Sequence, residues 1–238
     1  MKVGIIGAMI EEITPLIEAL KALHCPISQE QIGGNTYYKA SVGANDVYIA
    51  YSKIGKVHAA ITASVMIAHF GCEKILFSGV AGGLAQNLKV GDLLIASKLC
   101  QHDVDISAFG HPLGFIPESA TFIEADSELN ALAHKVAKLI GKELFEGIIA
   151  SGDQFIASES KKQWIIKEFG ADAVEMEGAS VAVVCNAFGV PFCIFRSISD
   201  SADGSADVSF DEFLESAAKV SAQFTLQMLK ALGYALEL

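Results

Sequence analysis

Arginine is almost missing from this chain, since Arg196 is the only arginine among its 238 residues. The other basic residues are lysines, and 28 acidic residues against 17 basic ones give a formal net charge of −11. Proteins that bind nucleic acids neutralise phosphates with clustered basic side chains, and this sequence has no basic stripe. The composition therefore argues against a nucleic-acid partner.

Long apolar runs are also missing, although 52% of the residues are hydrophobic and the mean hydropathy is +0.42. Glycine, proline or a charge interrupts each run before it reaches the roughly 20 residues that a membrane-spanning helix needs. The apolar run 3–10 is too short for a secretory signal and meets Glu11 and Glu12 directly. The sequence thus predicts no membrane partner and places its surplus apolar surface in a core and a subunit interface.

The chain has five cysteines but no Cys-x-x-Cys pair. Cys72, Cys185 and Cys193 lie in apolar contexts, which is typical of a reduced, cytoplasmic protein. The run His102-Asp-Val-Asp105 could hold a metal only with a third ligand that converges on it, and the sequence offers none. We therefore expect no metal site.

Predicted strands and helices alternate along the chain without a linker, repeat or low-complexity tract. A first strand precedes a helix that carries Glu11 and Glu12 in its first turn, where acids suit the helix dipole. Residues 74–78 predict a buried strand, followed at residues 79–83 either by a tight turn or by glycines that let backbone amides approach a ligand closely. The pattern indicates one α/β domain over residues 1–238, with helices on both faces of the sheet.

Two further helices have clear sequence signals. Val57, Ile61 and Val65 recur at helical spacing, which predicts a helix that stops before Gly71. Ser209-Phe-Asp-Glu212 has the form of a capping box and predicts that the last helix begins there. Between these helices, residues 98–122 form the least regular segment, and a loop of this length is typical of a functional or oligomer contact.

Two carboxylates stand between apolar flanks in the stretch 173–180. In an extended strand, Glu175 and Glu177 point to the same side and Met176 to the other. Charged side chains are seldom placed in apolar surroundings without a partner, and small residues follow that suit a packed helix. We therefore predict that these acids lie where a strand ends and a helix begins, in a functional role.

The stretch 190–200 contains a positive charge that can pair with these carboxylates. It begins as an apolar strand and turns polar at Arg196, whose guanidinium keeps its charge in poor solvent and binds carboxylates with a planar fork. Asp200 lies four residues further on, past two serines that can orient it. Because ligands of open α/β sheets bind beyond the carboxyl ends of the strands, both polar clusters are predicted to meet there.

Seven motifs in order give the chain a family resemblance over nearly its whole length. They are GIIGAMIEE at 4–12, SKIGKV at 52–57, SGVAGG at 78–83, SGDQFI at 151–156, VEME at 174–177, RSISD at 196–200 and SFDEF at 209–213. With these motifs the sequence resembles the 5′-methylthioadenosine/S-adenosylhomocysteine nucleosidases of the nucleoside phosphorylase superfamily. Each motif alone is modest, but the ordered set is specific.

The resemblance implies a three-layer α/β/α sandwich around a mixed central sheet, a homodimer, and hydrolysis of an adenine N-glycosidic bond without a cofactor. It implies that Asp200 protonates the purine at N7 and that Glu12 positions and activates the attacking water. Glu177 is expected to hold the ribose hydroxyls, and Arg196 to orient the acids and the water. This division of labour suits a reaction in which the sugar becomes cationic while the base becomes anionic.

The resemblance also implies the substrate contacts. Phe155 is expected to stack on adenine, the backbone of Ile156 to read its edge, and Ser199 to steady Asp200. The other implied contacts are Met176, Glu175, Ser78, Gly79 and Val80 around the ribose, Met9, Ile54 and Phe210 near the 5′ group, and Ile106, His111 and Pro117 from the partner subunit. Val80 stands where many relatives have serine, so one polar contact is either absent or supplied by Ser78.

Several alternatives stay open at this point. The 5′ group can be methylthio, homocysteinyl, hydrogen or the larger substituent of aminodeoxyfutalosine, so the pathway can be methionine salvage or menaquinone synthesis. A phosphorylase of the same fold would use phosphate instead of water, although one arginine offers little charge to hold it. A binding protein without catalysis would keep the adenine contacts but would have no need of the acids.

Overall fold

The structure, a computed structural model, describes residues 1–203 and 206–236, without the side chain of residue 208. The strands are β1 (Lys2–Gly7), β2 (Ile27–Ile32), β3 (Asn35–Val42), β4 (Asn45–Tyr51), β5 (Lys74–Gly83), β6 (Leu93–Gln101), β7 (Phe122–Glu124), β8 (Leu144–Ser151), β9 (Ala173–Glu175) and β10 (Phe192–Asp200). The helices are α1 (Ile10–Ala22), α2 (Lys56–Ala68), α3 (Ser127–Leu139), α4 (Glu159–Phe169), α5 (Gly178–Phe188) and α6 (Ala206–Ala231). A short 3₁₀ helix, Ser107–Phe109, interrupts the loop between β6 and β7.

The ten strands of the described residues form one mixed sheet, in the order β10-β6-β8-β9-β5-β1-β4-β3-β2, with β7 beside β6. Because β10 also pairs with β5, the five strands β5, β10, β6, β8 and β9 close into a ring. Strands β1, β4, β3 and β2 extend from β5 as an open sheet. The α/β prediction is confirmed, and the closed part of the sheet is a feature that strand patterns alone did not reveal.

Two helix layers cover the sheet. On one face α1, α3 and α6 pack together and bury Leu16, Val136 and Phe224. On the other face α2 and α5 bury small residues such as Ala63 and Ala182. The sheet therefore lies between the layers, as the resemblance implies.

The polar ends of the two central strands are part of the sheet. The tight-turn alternative at residues 79–83 is wrong, because β5 continues to Gly83 and pairs in parallel with β10 from Ile75 to Gly82. Likewise β10 runs through Arg196 to Asp200, with a register shift after Ile198. Ser78, Arg196, Ser199 and Asp200 are tolerated inside these strands because each is hydrogen-bonded, whereas the buried Ser197 hydroxyl has no hydrogen-bond partner among the described residues.

The helix predicted from Val57, Ile61 and Val65 is confirmed as α2, whereas the predicted start of the last helix is wrong. On α2 the buried residues are Ala59, Thr62, Ala63 and Met66, whereas Val57 and Ile61 are exposed and Val65 only partly buried. The final helix begins at Ala206, so the apparent capping box at 209–212 lies inside it. Strand β2 gave no sequence signal because its central residues are polar and exposed. No helix in the described ranges is long and apolar enough to cross a membrane.

Candidate active site

One cavity of about 330 Å³ opens where β1, β5, β9 and β10 end. Glu12, Glu175, Glu177 and Asp200 all line it, so the structure brings the four predicted acids together. Each of these residues is more than 90% buried, with relative exposures of 3%, 7%, 5% and 3%. Several ionisable groups in one largely apolar pocket are typical of a site whose protonation states serve chemistry.

Glu12 is held by three backbone amides around the start of α1. Its Oε2 accepts hydrogen bonds from Ala8 N at 2.5 Å and Met9 N at 3.0 Å, and its Oε1 accepts one from Val80 N at 2.9 Å. A Cβ on Gly79 would lie 2.6 Å from Oε1, so only glycine leaves room for the carboxylate. Since Oε2 already accepts two bonds, the free lone pair belongs to Oε1.

Burial raises the pKa of Glu12 above its ordinary value, while the Arg196 charge and the three amides oppose that rise. The amides favour the ionised form because they donate to both oxygens. Glu12 is thus oriented as an acceptor, and a raised pKa makes it a better proton acceptor than an exposed glutamate. Both properties suit a general base.

Glu175 is occupied by structural partners at the turn from β9 into α5. Arg196 Nη2 donates to its Oε2 at 2.7 Å, the Ser151 hydroxyl donates to its Oε1, and the amides of Glu177 and Gly178 donate as well. A Cβ on Gly178 would lie 3.2 Å from either Glu175 oxygen, so glycine permits this approach. Glu175 borders the cavity, but its carboxylate holds the turn together.

Arg196 lies behind Glu175, is 1% exposed, and is not among the residues that line the cavity. Its Nη1 donates to the carbonyl oxygens of Phe77 and Phe195 at 3.1 Å each, and its guanidinium carbon lies 4.0 Å from the centre of the Phe77 ring. The predicted ion pair with an acid of the 173–180 stretch is therefore present, with Glu175 as the partner. In this geometry Arg196 holds Glu175 and does not itself face the cavity.

Strand β9 ends at Glu175, so the alternation of side chains does not continue to the next residues. Glu177 has φ −138° and ψ −40°, which is not extended, and it forms the N-cap position of α5. As a result Met176 lines the cavity together with Glu177, and the prediction that Met176 faces the other way is wrong. The expected placement of the acids between a strand and a helix is confirmed.

Glu177 accepts a hydrogen bond from Gly55 N at 2.8 Å through its Oε1. Burial and the neighbouring Glu175 carboxylate raise the pKa of Glu177 to about 8. This rise favours the protonated form of the Glu177 carboxyl at neutral pH. A positive charge that developed beside it would favour its ionised form.

The raised pKa of Glu177 predicts that, without a bound nucleoside, the free energy of unfolding of the protein falls as pH rises from about 5 to 8. The unfolded chain releases this proton near the ordinary value of 4.5, whereas the folded protein keeps it until about pH 8. The contribution to stability is thus complete below 4.5 and is lost as pH approaches 8. We expect thermal melts to show a fall in Tm of roughly 5 °C or more over this range.

Glu177→Gln is the matched variant for this measurement, because glutamine keeps an acceptor for Gly55 N without the titrating proton. Its Tm should depend less on pH than that of the parent. The raised pKa values of Glu12 and Asp200 leave a fall with rising pH, which the pKa of His102, lowered by burial, opposes. Equal slopes for the two proteins would contradict the raised pKa of Glu177.

Asp200 sits at the end of β10 and is oriented by its neighbours. The Ser199 hydroxyl donates to its Oδ2 at 2.8 Å and Ala202 N donates to its Oδ1 at 2.8 Å. A Cβ on Gly82 would lie 2.8 Å from Oδ1, so glycine is again required for close approach. Burial raises the pKa of Asp200, although both hydrogen bonds oppose the rise. The carboxyl is thus suited to carry a proton into the cavity.

The rest of the cavity wall is largely apolar. Phe155 and Phe210 face each other edge to face, with their ring centres 5.6 Å apart. The other predicted contacts that line the cavity are Met9, Ile54, Val80, Ile156 and Ser199. Ser78 does not line it, because its hydroxyl shares a 2.7 Å hydrogen bond with Ser221, so the structure gives no substitute for the missing serine at Val80.

Comparison with known proteins agrees with this geometry. Residues 2–230 match the model of the phosphorylase superfamily. The chain belongs to that superfamily. It is 55% identical to an aminodeoxyfutalosine nucleosidase of Helicobacter pylori over 97% of this chain and 99% of that protein. It is 42% identical to a 5′-methylthioadenosine/S-adenosylhomocysteine nucleosidase of Actinobacillus succinogenes over 98% of this chain and 100% of that protein.

A solved structure extends the comparison. The Helicobacter pylori 5′-methylthioadenosine/S-adenosylhomocysteine nucleosidase superposes with a TM-score of 0.93 at 55% identity, covering 97% of this chain and 98% of that one. That protein was crystallised with a pyrrolidin-3-ol that carries a 4-aminopyrrolo[3,2-d]pyrimidine and a prop-2-ynylthiomethyl group. The predicted resemblance to nucleosidases of this superfamily is confirmed.

Three predicted contacts of this superfamily member lie outside its own cavity. Ile106, His111 and Pro117 belong to the loop between β6 and β7, and His111 and Pro117 are exposed on its surface. No side chain of this loop lines the cavity of the same chain. Their expected role in a second copy stays a prediction.

Sequence reasoning missed several groups that shape the site of this superfamily member. Ser151 donates to Glu175 and accepts from Ala179 N at 2.7 Å, and Gln154 lines the cavity beside Phe155. Gly55 supplies the amide for Glu177 and has φ +101°, which favours glycine. Ser151, Gln154 and Gly55 all lie inside the motifs at 151–156 and 52–57. The role of Gly55 leaves no signal in the sequence, because it donates through its backbone amide.

Proposed function

We propose that this protein, as one domain over residues 1–238, hydrolyses the N-glycosidic bond of 5′-substituted adenine nucleosides to adenine and the 5-substituted ribose. The observation that carries the proposal is the placement of Glu12, Glu177 and Asp200 around one cavity with a largely apolar wall. Relatives at 42–55% identity are named for this class of reaction, which supports the same chemistry here.

Asp200 is the proposed general acid. Its raised pKa keeps a proton available, and Ser199 and Ala202 fix the carboxyl so that it can face the purine N7. As the C1′–N9 bond breaks, its electron pair moves into the purine and the proton passes from Asp200 to N7, so adenine leaves neutral. Activity should therefore be present below the pKa of Asp200 and fall as pH rises through it.

Glu12 is the proposed base for water. Its Oε1 has the free lone pair, so a water bonded there can attack C1′ while its proton passes to Glu12. After one turnover Glu12 holds a proton and Asp200 lacks one, and exchange with solvent restores both. The step consumes one water and needs no cofactor.

Glu177 is the proposed partner of the ribose hydroxyls. Its raised pKa favours a neutral carboxyl when no nucleoside is bound. A ribosyl cation beside it would lower that pKa and favour the negatively charged carboxylate. The compound complexed with the Helicobacter pylori nucleosidase has a basic pyrrolidine between its 4-aminopyrrolo[3,2-d]pyrimidine and its thiomethyl group, the position that ribose has in a nucleoside, which supports a cation-stabilising site in that relative. We assign adenine stacking to Phe155 and edge recognition to Ile156.

We propose that the active form is a homodimer in which the partner's Ile106, His111 and Pro117 complete the 5′ end of the cavity. Apolar side chains are exposed on α2 and in the 3₁₀ helix, with Val57 at 68% and Phe109 at 82%. Ile54 lines the cavity and is itself half exposed, so a surface placed against α2 would also close the site. Exposed apolar patches of this kind mark interaction surfaces.

Ile61→Glu tests the dimer, because it places a charge in the exposed stripe of α2 without touching the cavity. We expect the variant to elute as a monomer in size-exclusion chromatography with light scattering, and kcat/KM to fall by about 10-fold or more. Leu139→Glu is the control, since Leu139 is 83% exposed at the end of α3 in the other helix layer. A dimeric, fully active Ile61→Glu protein would contradict the assigned interface.

The 5′ group is expected to lie against Met9, Ile54 and Phe210. An apolar wall suits methylthioadenosine and 5′-deoxyadenosine, whereas the larger groups of S-adenosylhomocysteine and aminodeoxyfutalosine need the open side of the cavity. The similarity to aminodeoxyfutalosine nucleosidases favours a role in menaquinone synthesis beside methionine salvage. Comparing kcat/KM for adenine release from these four nucleosides tests the proposal, and no release from any of them would overturn it.

Two alternatives fit the cavity less well. A phosphorylase would hold phosphate near Glu12, yet no lysine, arginine or histidine is among the described residues that line the cavity, and Arg196 is occupied by Glu175. A non-catalytic binding protein would have no use for three buried acids, which are costly to desolvate. All five cysteines are free, which supports our placement of the protein in the reducing cytoplasm.

A further inference from the structure

A partly buried polar network lies next to the cavity but does not line it. Lys56 Nζ donates to Asp103 Oδ1 at 2.6 Å and to Gln101 Oε1 at 3.0 Å. Asp153 N donates to Asp103 Oδ2 at 2.9 Å, and Lys56 N donates to Asp153 Oδ1 at 2.8 Å. The two oxygens of Asp103 thus accept hydrogen bonds from two different segments, those of Lys56 and Asp153, and this side chain is the centre of the network.

The network joins the two segments that carry opposite walls of the cavity. Asp153 begins the run of Gln154, Phe155 and Ile156, which we call the base wall. Lys56 follows Gly55, whose amide holds Glu177, and we call Glu177 with Met176 the sugar wall. Through Asp103, the end of β6 ties the base wall to the turn that fixes the sugar wall.

This ion pair differs from an ordinary surface salt bridge. The side chains of Lys56 and Asp103 are only 15% and 14% exposed, so solvent screens their charges weakly. The adjacent His102 is 1% exposed, and a Cβ on Gly152 would lie 2.4 Å from its ring, so the first residue of the base-wall loop packs directly on it. The end of β6 therefore supports this loop both by packing and by hydrogen bonds.

We propose that Asp103 is a positioning residue that fixes the distance between the base wall and the sugar wall. The inference rests on the proposed function, because a nucleoside spans both walls while free adenine contacts the base wall but does not reach the sugar wall. Asp103 contacts neither the substrate nor the reacting atoms. It acts through Asp153 on one side and Lys56 on the other.

Asparagine at position 103 cannot make both hydrogen bonds of the parent carboxylate. It has one oxygen and one NH₂ group, whereas both carboxylate oxygens of Asp103 accept hydrogen bonds. The NH₂ group must therefore face either the Lys56 ammonium or the Asp153 amide, and one of the two links is lost. Lys56→Met removes the other side of the pair and provides an independent variant.

The experiment measures two quantities in each variant, namely kcat/KM for methylthioadenosine and the inhibition constant of free adenine. We expect kcat/KM to fall by about 100-fold, since a displacement of about 1 Å costs this much, while the adenine constant changes less than about 3-fold. The double variant should lose less than the product of the two single losses, because both act through one pair. Trp164 fluorescence confirms that each variant is folded at the assay temperature.

Asp46→Asn and Lys39→Met are the matched controls, since these residues form a 2.9 Å ion pair on the β3–β4 hairpin, away from the cavity. Both should keep the parent kcat/KM. The proposal is overturned if the Asp103 and Lys56 variants keep parent kcat/KM, or if adenine affinity falls in parallel with it. A parent enzyme that releases no adenine from any nucleoside would instead overturn the proposed function, so the two failures are distinguishable.

Discussion

Replacing Asp200 with asparagine is expected to lower kcat for methylthioadenosine by about 10³-fold, which is within the range for a lost general acid. Asparagine has the same shape, and its oxygen can still accept the hydrogen bond from Ala202 N. Its NH₂ group can donate a hydrogen bond to the purine N7 but cannot give up a proton. The nucleoside should therefore bind with nearly unchanged affinity, as measured by calorimetry, while adenine is released very slowly.

Ser199→Ala is the matched control for this loss. The Ser199 hydroxyl donates to Asp200 Oδ2 and opposes the rise of its pKa, so the alanine variant keeps the acid and raises that pKa further. We expect the alkaline limb of the pH–rate profile to move to higher pH while most of the activity remains. An Asp200→Asn enzyme with near-parent kcat would show that another group protonates the purine.

Replacing Glu12 with glutamine is the other change with a large expected effect. Both oxygens of Glu12 accept backbone N–H bonds, so the NH₂ group of glutamine must oppose either Val80 N or the amides of Ala8 and Met9. The side chain then loses both its basicity and its fixed orientation. We expect kcat to fall by about 10³-fold or more, measured by adenine release in single turnovers.

Glu11→Gln provides the control on the same helix turn. Glu11 is exposed and does not line the cavity, so its only expected role is to complement the dipole of α1. Its glutamine variant should keep the parent kcat. Equal losses in the two variants would mean that the charge of the helix start, and not the carboxylate at the cavity, matters for the reaction.

Strand and helix order was predictable because most elements have a strong apolar pattern with glycine or proline at their ends. The failures have physical causes. The glycines at the end of β5 are typical of a turn. Glycine is required at positions 79 and 82 for another reason, because a Cβ there would collide with the carboxylates of Glu12 and Asp200. On α2 the apolar stripe of Val57 and Ile61 faces outward, and a sequence does not distinguish a core face from an interface face.

The acids of the site were predictable because charges between apolar flanks need partners, and Glu12, Glu177 and Asp200 do line one cavity. Their division of labour was less visible. Which glutamate pairs with Arg196 depends on strand β9 ending at Glu175, and the support from Gly55 comes from a backbone amide. The polar network around Asp103 joins segments far apart in the chain, so spacing alone did not indicate it.

The central claim is that water, and not phosphate, captures a ribosyl cation among these acids. Methylthioadenosine hydrolysed in ¹⁸O-labelled water, with and without inorganic phosphate, tests it most directly by mass spectrometry of the sugar product. We predict one ¹⁸O in the methylthioribose, none in adenine, and a rate that phosphate does not change. A methylthioribose 1-phosphate product that forms only when phosphate is present would contradict the account.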